Sequence, residues 1–568
     1  MLFQRLYLFL ISLLLIYFGI SCNSITGSSE EDEIVSFNSE TSRHIQTFLS
    51  DATVSNGKIG DSLVLDFTDP VEDYYYNNEY LPVWSDKGEL RPHAKDFIKY
   101  FDFASSDGLI KYDYHYTKIQ SLLNDIREDS INIRDNKLWA KADILLTDAF
   151  MHILCDLKQG RLQSDSLSWK HDTTKYINFF SANLDSLLKG KRLNDIFASV
   201  QPDNKEYTEL KNGIAGFIES MDKKNYTHLN YPYKKGDIKD SLLFIKNLKI
   251  RLIEGGYAGV TDVESIDSVK LHNIILTYQK RHNLYPDGIA GTSLVRSLNS
   301  TDIEKFIRIC ITLDRYKLLD NKIPHTYISV NLPAFKLKVV ENDSVHLESK
   351  IICGKPSTPT PTLNSKISDI IIYPTWTVPT SIISKEILPG LKRNSGYLAR
   401  KGFKLLNGKG EAVDPSTINW EKYTKGVPFA VQQPSGDQNA LGVMKFNFQN
   451  PHDVYLHDTN QRYLFNNSNR ALSHGCVRVQ EWQKLAFYIA RNDSVSFGIT
   501  NSMSYNCDSI SNWLSYKKRK EVKIRNQIPL FISYYTCEGA GGKIIFHDDI
   551  YNDDNKMKEL FFNHNTIL

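Results

Sequence analysis

The stretch Ser-His-Gly-Cys-Val-Arg-Val, residues 473–479, places a cysteine beside a glycine, two positions from a histidine and two from an arginine. A second run, Val-Tyr-Leu-His-Asp-Thr at residues 454–459, is β-branched and aromatic, and it predicts a short strand that carries His457. Only the thiolate of a cysteine attacks, and a nearby imidazole can take the thiol proton and give it to a leaving amine. The sequence therefore predicts acyl transfer through a thioester, with Cys476 as nucleophile and His457 as general base within hydrogen-bond reach.

Both motifs resemble the signature of L,D-transpeptidases of the YkuD type, and in particular their large multidomain, YcbB-like branch. The segment Asn-Ala-Leu-Gly at 439–442, the Pro-Thr-Pro-Thr run at 359–362 and the Trp-x-Val-Pro run at 376–379 add to this resemblance. It implies attack on the third residue of a peptidoglycan stem tetrapeptide, release of D-Ala, and a 3–3 cross-link to a neighbouring stem. It also implies inhibition by carbapenems that acylate Cys476, and no need for a metal or another cofactor.

The resemblance assigns roles to the neighbours of the two central residues. Gly475 lets a carbonyl approach the main chain, whose N–H groups can hold an oxyanion. We expect the main chain of His474 near that oxyanion site and its ring on the donor peptide, whereas Ser473 shapes the loop. Arg478 either orients a substrate carboxylate or braces the loop, and both roles stay open. The main-chain carbonyl of Asp458 is expected to orient the base.

Two other functions fit the same sequence. With water as the acceptor, the site would make an L,D-carboxypeptidase that trims tetrapeptide stems. A non-catalytic scaffold that binds the cell wall would need an incomplete site, although the cysteine, histidine and arginine are all present. Each alternative keeps peptidoglycan stem peptides and glycan as the partners.

The amino terminus predicts export. Residues 6–20 are almost wholly apolar after Arg5, and Ser21 precedes Cys22, as in a bacterial lipoprotein signal that leaves Cys22 lipidated. An uncleaved anchor or an ordinary secretory signal remains open. All three alternatives place the rest of the protein outside the cytoplasm. The expected location is the bacterial cell envelope, facing the periplasm, with the lipoprotein alternative anchoring the protein to a membrane. The net charge of +2 gives no indication of a nucleic-acid partner.

The predicted fold class is multidomain α+β. Apolar residues recur every three or four positions over 140–157, which predicts helix, whereas residues 326–331 and 335–340 alternate in period two, which predicts strands. The expected order is a signal peptide (1–21), a disordered tether (22–44), a helical scaffold domain (45–236), a three-helix peptidoglycan-binding-like module (237–300) and a mostly-β catalytic domain (301–556). By resemblance, the catalytic domain carries a helical lid insertion (381–425), with a helix expected at 388–400.

Seven cysteines occur without a CxxC pair, so the sequence predicts neither a disulfide framework nor a zinc-cysteine site. A disulfide between Cys507 and Cys537 stays open.

Overall fold

The computed structural model describes residues 30–60, 63–128, 135–162, 173–222, 224–231, 238–282, 284, 286–319, 323–424, 426–497 and 505–562. The predicted signal peptide and Cys22 lie outside these residues. Within them, no helix combines the length and apolar character that a bilayer span requires. The chain divides into two compact units, the first up to Pro202 and the second from Asp203 to Asn563.

The first unit is helical, with two short hairpins. Its helices are α1 (Glu30–Val54), α2 (Thr68–Asn77), α3 (Pro92–Tyr100), α4 (Tyr116–Glu128), α5 (Asn136–Gln159), α6 (Thr173–Leu188) and α7 (Leu193–Val200). The hairpins pair β1 (Lys58–Ile59) with β2 (Leu63–Val64) and β3 (Ser85–Asp86) with β4 (Glu89–Leu90). Helix α5 is buried along most of its length, so the other elements pack around it.

A buried carboxylate on α5 fixes one of these packed segments. Asp143 accepts hydrogen bonds from the main-chain N–H groups of Val83, Trp84 and Ser85, at 2.7, 3.0 and 3.0 Å. Trp84 is fully buried in the same core, as expected for a packing tryptophan. Since an unpaired buried carboxylate is costly, these bonds hold the segment to α5.

The tether prediction is wrong from Glu30 onward, because α1 begins there. The acidic cluster at 30–33 is typical of disorder, but Ile45, Leu49 and Ala52 recur at helical spacing and are fully buried. Burial of this apolar stripe stabilises a helix whose first turns are highly charged.

The second unit begins with helices that were predicted to belong to different domains. They are α8 (Lys205–Ser220), α9 (Ile238–Glu254), α10 (Ser268–Arg281), α11 (Thr292–Asn299) and α12 (Asp302–Lys317). Helices α9 to α11 match the three predicted helices of the 237–300 module and share a separate apolar core.

Helix α8 was expected in the scaffold domain, yet it packs on the hairpin of β18 (Cys537–Ala540) and β19 (Lys543–Phe546). The packing is close. A Cβ at Gly213 would lie 2.7 Å from Ile544, and one at Gly539 would lie 2.1 Å from the main chain of Glu209. Glycines at both contacts allow this close approach. Because α8 packs within the second unit, the division between the units lies at 202/203 and not at the predicted 236/237 boundary.

The catalytic sheet closes on itself. Its strands are β5 (Thr326–Asn331), β6 (Lys336–Glu341), β7 (Ser344–Gly354), β8 (Leu363–Ile372), β12 (Met444–Phe448), β13 (Leu456–His457), β14 (Ala471–Ser473), β15 (Val477–Val479), β16 (Lys520–Lys523) and β17 (Pro529–Ser533). The order is β12-β13-β15-β7-β6-β5-β17-β8, and β8 also pairs with β12. Helices α16 (Trp482–Phe497), α17 (Cys507–Ser515) and α18 (Asp553–Phe561) complete this region. Strands β5 and β6 lie where the sequence predicts them.

The insertion after β8 is a small folded body. It contains the sheet β10-β11-β9, made of β9 (Trp376–Thr377), β10 (Lys404–Leu406) and β11 (Ala430–Gln433), and an apolar core of its own. The helical run comprises α13 (Thr380–Ile382), a π-helical turn (Ile383–Ile387) and α14 (Leu388–Arg393), followed by a separate α15 (Tyr397–Arg400). A single 388–400 helix is therefore wrong. Asn394 is extended, and its side chain accepts the N–H of Gly396 at 2.8 Å, which forms a turn.

All cysteines in the described ranges are free thiols, including Cys507 and Cys537.

Candidate active site

Two short parallel strands bring the predicted site together. In β13 and β15, Leu456 pairs with Val477 and His457 pairs with Arg478. Side chains alternate between the faces of a strand, so His457 and Arg478 share one face with the residues two positions before them, Tyr455 and Cys476. Leu456 and Val477 point to the opposite face, where both are fully buried in the sheet core. The pairing register therefore places the thiol and the imidazole on the same face.

His457 is a neutral, oriented imidazole. Its ring is buried, and Nδ1 donates a hydrogen bond to the main-chain carbonyl of Asp458, the contact that the resemblance implies. With the proton on Nδ1, the lone pair lies on Nε2. Burial, together with the positive charge of Arg478, lowers the pKa of His457 to about 3. The ring can therefore accept a proton only when negative charge develops beside it during the reaction.

Cys476 is also neutral in the resting site. Its thiol is partly exposed and donates to the main-chain carbonyl of Asp453 at 3.8 Å. Burial raises the pKa of this thiol, although hydrogen bonds from Tyr455 and the charges of Lys445 and Arg478 oppose the shift. Among the described contacts, no hydrogen bond joins the thiol to His457. The pKa shifts of the two groups favour a neutral thiol beside a neutral imidazole before substrate binds.

Tyr455 and Lys445 are site residues that lie outside the predicted set. Tyr455 lies on the face of Cys476, and Lys445 pairs with His457 from β12. The ammonium of Lys445 lies 4.0 Å from the centre of the Tyr455 ring. These groups surround the sulfur with a hydroxyl and a cation that favour the thiolate once it forms. Period-two alternation along residues 454–457 was the available signal for Tyr455.

Arg478 presents an unused donor. Its Nη1 donates to Gln461 Oε1 at 3.2 Å, whereas its buried Nε has no hydrogen-bond partner. Buried donors are almost always paired, so an orphan N–H beside the nucleophile favours the carboxylate-orienting role. Burial lowers the pKa of this guanidinium, which nevertheless remains cationic at neutral pH.

The loop before Cys476 is fixed from two sides. Ser473 Oγ donates to the carbonyl of Cys476 at 2.6 Å and accepts the N–H of Gly475 at 3.1 Å. Thr360 Oγ1 donates to the carbonyl of Gly475 at 2.7 Å and accepts the N–H of Gly354 at 2.9 Å. Gly475 itself has a φ of +126°, which a residue with a Cβ rarely adopts. These contacts hold the main chain of the loop in one conformation next to the sulfur.

The Asp458 side chain supports the base from behind. It is buried and accepts the N–H of Val443 at 3.0 Å and a bond from Arg462 Nη2 at 2.9 Å. A Cβ at Gly442 would lie 2.2 Å from its carboxylate, so glycine is required there. The carbonyl that orients His457 is therefore held in place by its own side chain.

The insertion contacts the loop that carries the nucleophile. Glu386, in the π-helical turn, accepts a hydrogen bond from His474 Nε2 at 2.5 Å. The His474 ring, which was expected on the donor peptide, thus faces the insertion in this conformation. Lys355 Nζ lies 3.9 Å from the same carboxylate oxygen.

Family models match two parts of the chain. Residues 69–213 match the scaffold domain, and residues 325–496 match the L,D-transpeptidase catalytic domain of the YkuD family. A Haemophilus influenzae protein assigned to the L,D-transpeptidases is 35% identical over 233 residues, which cover 41% of this chain. The chain spans 45% of the length of this curated relative.

Solved structures of L,D-transpeptidases are also similar to parts of the chain. The catalytic domain of the Enterococcus faecium enzyme, acylated by ertapenem, is 13% identical over 37% of this chain and 99% of its own, with a TM-score of 0.17. The enzyme of Stackebrandtia nassauensis is 15% identical over 46% of this chain and 91% of its own, with a TM-score of 0.15. The family matches thus place a helical scaffold domain at residues 69–213 and a mostly-β domain of the YkuD family of L,D-transpeptidases at residues 325–496.

Proposed function

We propose that this protein is a peptidoglycan L,D-transpeptidase that forms 3–3 cross-links through a thioester on Cys476. One observation supports the proposal above all others. The in-register pairing of β13 with β15 places a thiol, an oriented imidazole and a guanidinium with an unpaired N–H on one face of the sheet.

The first half-reaction is acylation. Sγ of Cys476 attacks the carbonyl carbon of the third residue of the donor stem while Nε2 of His457 takes the thiol proton. Proton transfer and attack are coupled, because both groups are neutral beforehand. The protonated ring then gives its proton to the amine of D-Ala as the C–N bond breaks. The guanidinium of Arg478 binds the carboxylate of the departing D-Ala.

The second half-reaction transfers the acyl group to an amine. The side-chain amine of a diamino acid on a neighbouring stem attacks the thioester carbonyl, His457 takes the amine proton, and the thiol is restored. The insertion acts as a lid that excludes water and so favours the amine over hydrolysis. Its contact from Glu386 to His474 keeps it next to the acyl group.

The test is incubation of the full-length protein with disaccharide tetrapeptide, followed by mass spectrometry of the products. The wild type should release D-Ala and yield 3–3 linked dimers, and Cys476→Ala should yield neither. Cys507→Ala is the matched control, since this partly buried thiol lies on α17, where its contact is with the Phe487 carbonyl at 3.6 Å. It should retain wild-type activity.

Each other product identifies a different function. Tripeptide without dimer would indicate an L,D-carboxypeptidase. Unchanged tetrapeptide with the wild type would refute the enzymatic proposal, and binding of intact sacculi by that protein would then indicate a wall-binding scaffold.

We also propose that carbapenems acylate Cys476, as the E. faecium domain is acylated by ertapenem. Intact-protein mass spectrometry with ertapenem should give one adduct per wild-type chain and none with Cys476→Ala. An adduct on Cys476→Ala would contradict the assignment.

The cellular location is proposed from the sequence alone. We propose a lipoprotein that is anchored through Cys22 and faces the periplasm, with the 237–300 module binding peptidoglycan. Mass spectrometry of the mature amino-terminal peptide should find acylated Cys22. A mature terminus elsewhere, without lipid, would refute the anchor.

A further inference from the structure

The scaffold domain contains a cluster of histidines and aspartates outside the active site. Asp66 lies in the loop before α2, and His115 directly precedes α4. Asp148, His152 and Asp156 follow one another at steps of four residues on α5, so they share one face of that helix. Three segments that are distant in sequence thus converge on one point.

The candidate ligand atoms lie close to one another. Nε2 of His115 lies 2.6 Å from Asp148 Oδ2 and 3.5 Å from Asp66 Oδ2. Nδ1 of His152 lies 3.0 Å from the same Asp66 oxygen. The donor atoms of Asp66, His115 and Asp148 all lie within 4.8 Å of one another. Zinc–ligand bonds of about 2.0–2.2 Å place tetrahedral ligand atoms about 3.3 Å apart, and each of the three pair distances above differs from that spacing by less than about 1 Å.

Outer contacts orient the candidate ligands. Nε2 of His152 lies 3.7 Å from Asp156 Oδ2, and this oxygen accepts a hydrogen bond from the Tyr114 hydroxyl at 2.9 Å. Asp148 accepts the main-chain N–H of Phe67 at 2.8 Å through its other oxygen. A carboxylate in contact with a histidine ring fixes the orientation and tautomer of that ring.

The cluster is buried on one side and open on the other. Asp148 has no exposed side-chain surface, His115 and His152 are 15% and 22% exposed, and Asp66 is 42% exposed. An ion can therefore enter beside Asp66. His115 has a φ of +55°, an uncommon backbone conformation for a residue with a Cβ, at the point where its ring enters the cluster. Three carboxylates facing two imidazoles leave an excess of negative charge that a divalent cation would balance.

We propose that the scaffold domain binds one zinc ion through His115, Asp66 and Asp148, while His152 orients Asp66 from outside. An imidazole with two carboxylates is a mixed nitrogen and oxygen ligand set that suits zinc, whereas calcium and magnesium prefer oxygen ligands alone. The site joins the Asp66 loop and the His115 segment to α5, so its role is to stabilise the scaffold domain. It is separate from the thiol chemistry and does not depend on the proposed function.

The first measurement uses full-length Cys476→Ala protein treated with a chelator and then titrated with zinc chloride. Calorimetry should give one tight site per chain, and the scaffold-domain melting temperature should rise by roughly 5 °C at a hundredfold excess over Kd. Cobalt should give the visible spectrum of a tetrahedral site without a sulfur charge-transfer band. Tight calcium binding without zinc binding, or a cobalt–thiolate band, would refute the proposal.

Variants assign the ligands. Asp66→Asn changes a partly exposed side chain and should weaken zinc binding at least tenfold while leaving the melting temperature of the metal-free protein unchanged. His115→Gln should weaken zinc binding at least as much and His152→Gln less, and both should lower the melting temperature of the metal-free protein, because each ring contacts a carboxylate there. His44→Gln on α1 is the matched control that should bind normally. Unaltered binding by Asp66→Asn and by either histidine variant would overturn the site, as would absence of zinc binding by the wild type.

Discussion

The resting protonation of the thiol and the imidazole can be measured through the pH dependence of alkylation. Cys476 carries a thiol whose pKa is raised by burial, and His457 is neutral because burial lowers its pKa to about 3. At pH 7 a cysteine of ordinary pKa is about 3% thiolate, so this one should be less ionised still. The thiolate fraction, and with it the alkylation rate, should rise about 100-fold between pH 6 and pH 8.

A preformed thiolate–imidazolium pair predicts a flat profile instead. The absolute rate does not separate the two states, because a thiolate of lower pKa is also a weaker nucleophile. The slope does separate them. We would follow iodoacetamide modification by peptide mass spectrometry of the Cys476 peptide, so that alkylation of other thiols does not contribute.

His457→Gln provides the matched comparison. If the imidazole is neutral in the resting site, its removal should leave the slope of the alkylation profile unchanged and should abolish turnover. A wild-type rate that is constant from pH 5 to pH 8, and becomes steep in His457→Gln, would refute the neutral resting state.

Three further perturbations follow from the site. Below pH 6.5 His457 becomes protonated in the unfolded chain, whereas in the folded protein it stays neutral down to about pH 3, so the free energy of unfolding decreases as the pH is lowered through this window. Urea unfolding should give a free energy of unfolding about 2 kcal/mol lower at pH 5 than at pH 8, and His457→Gln should lack this difference. Equal losses in both proteins would contradict this. Thr360→Val leaves the Gly475 carbonyl without its hydrogen-bond donor, so the free energy of unfolding should fall by about 1–3 kcal/mol and acylation by ertapenem should slow. Unchanged values would mean that this hydrogen bond is dispensable. Glu386→Gln weakens the contact with His474, so the ratio of tripeptide to dimer should rise, and a constant ratio would argue against the lid role.

The elements that carry the site could be predicted from the sequence, because the site residues lie in two short contiguous motifs. The motif at 473–479 and the strand ending at His457 are contiguous runs with clear spacing, and both lie where they were expected. The helices of the 237–300 module follow from period and turn residues in the same way.

Burial and long-range contacts could not be predicted from those runs. The neutral state of Cys476 and His457 depends on how deeply the fold buries them, which no local pattern reveals. Glu386 meets His474 across 88 positions of sequence, and Thr360 meets Gly475 across 115. Helix α1 was missed for a related reason, since its charged start indicated disorder while its buried stripe depends on tertiary packing.

The strand that follows the nucleophile is only three residues long, and it lies between β13 and β7. A shift of the strand-pairing register by one residue would turn Val477 and Val479 toward the substrate side of the sheet and Cys476 into the hydrophobic core. The two valines oppose that shift, because both are fully buried and would lose their burial. Fidelity of the chemistry thus depends on aliphatic side chains on the face turned away from the thiol, and polar replacements at Val477 or Val479 should inactivate the enzyme by misalignment.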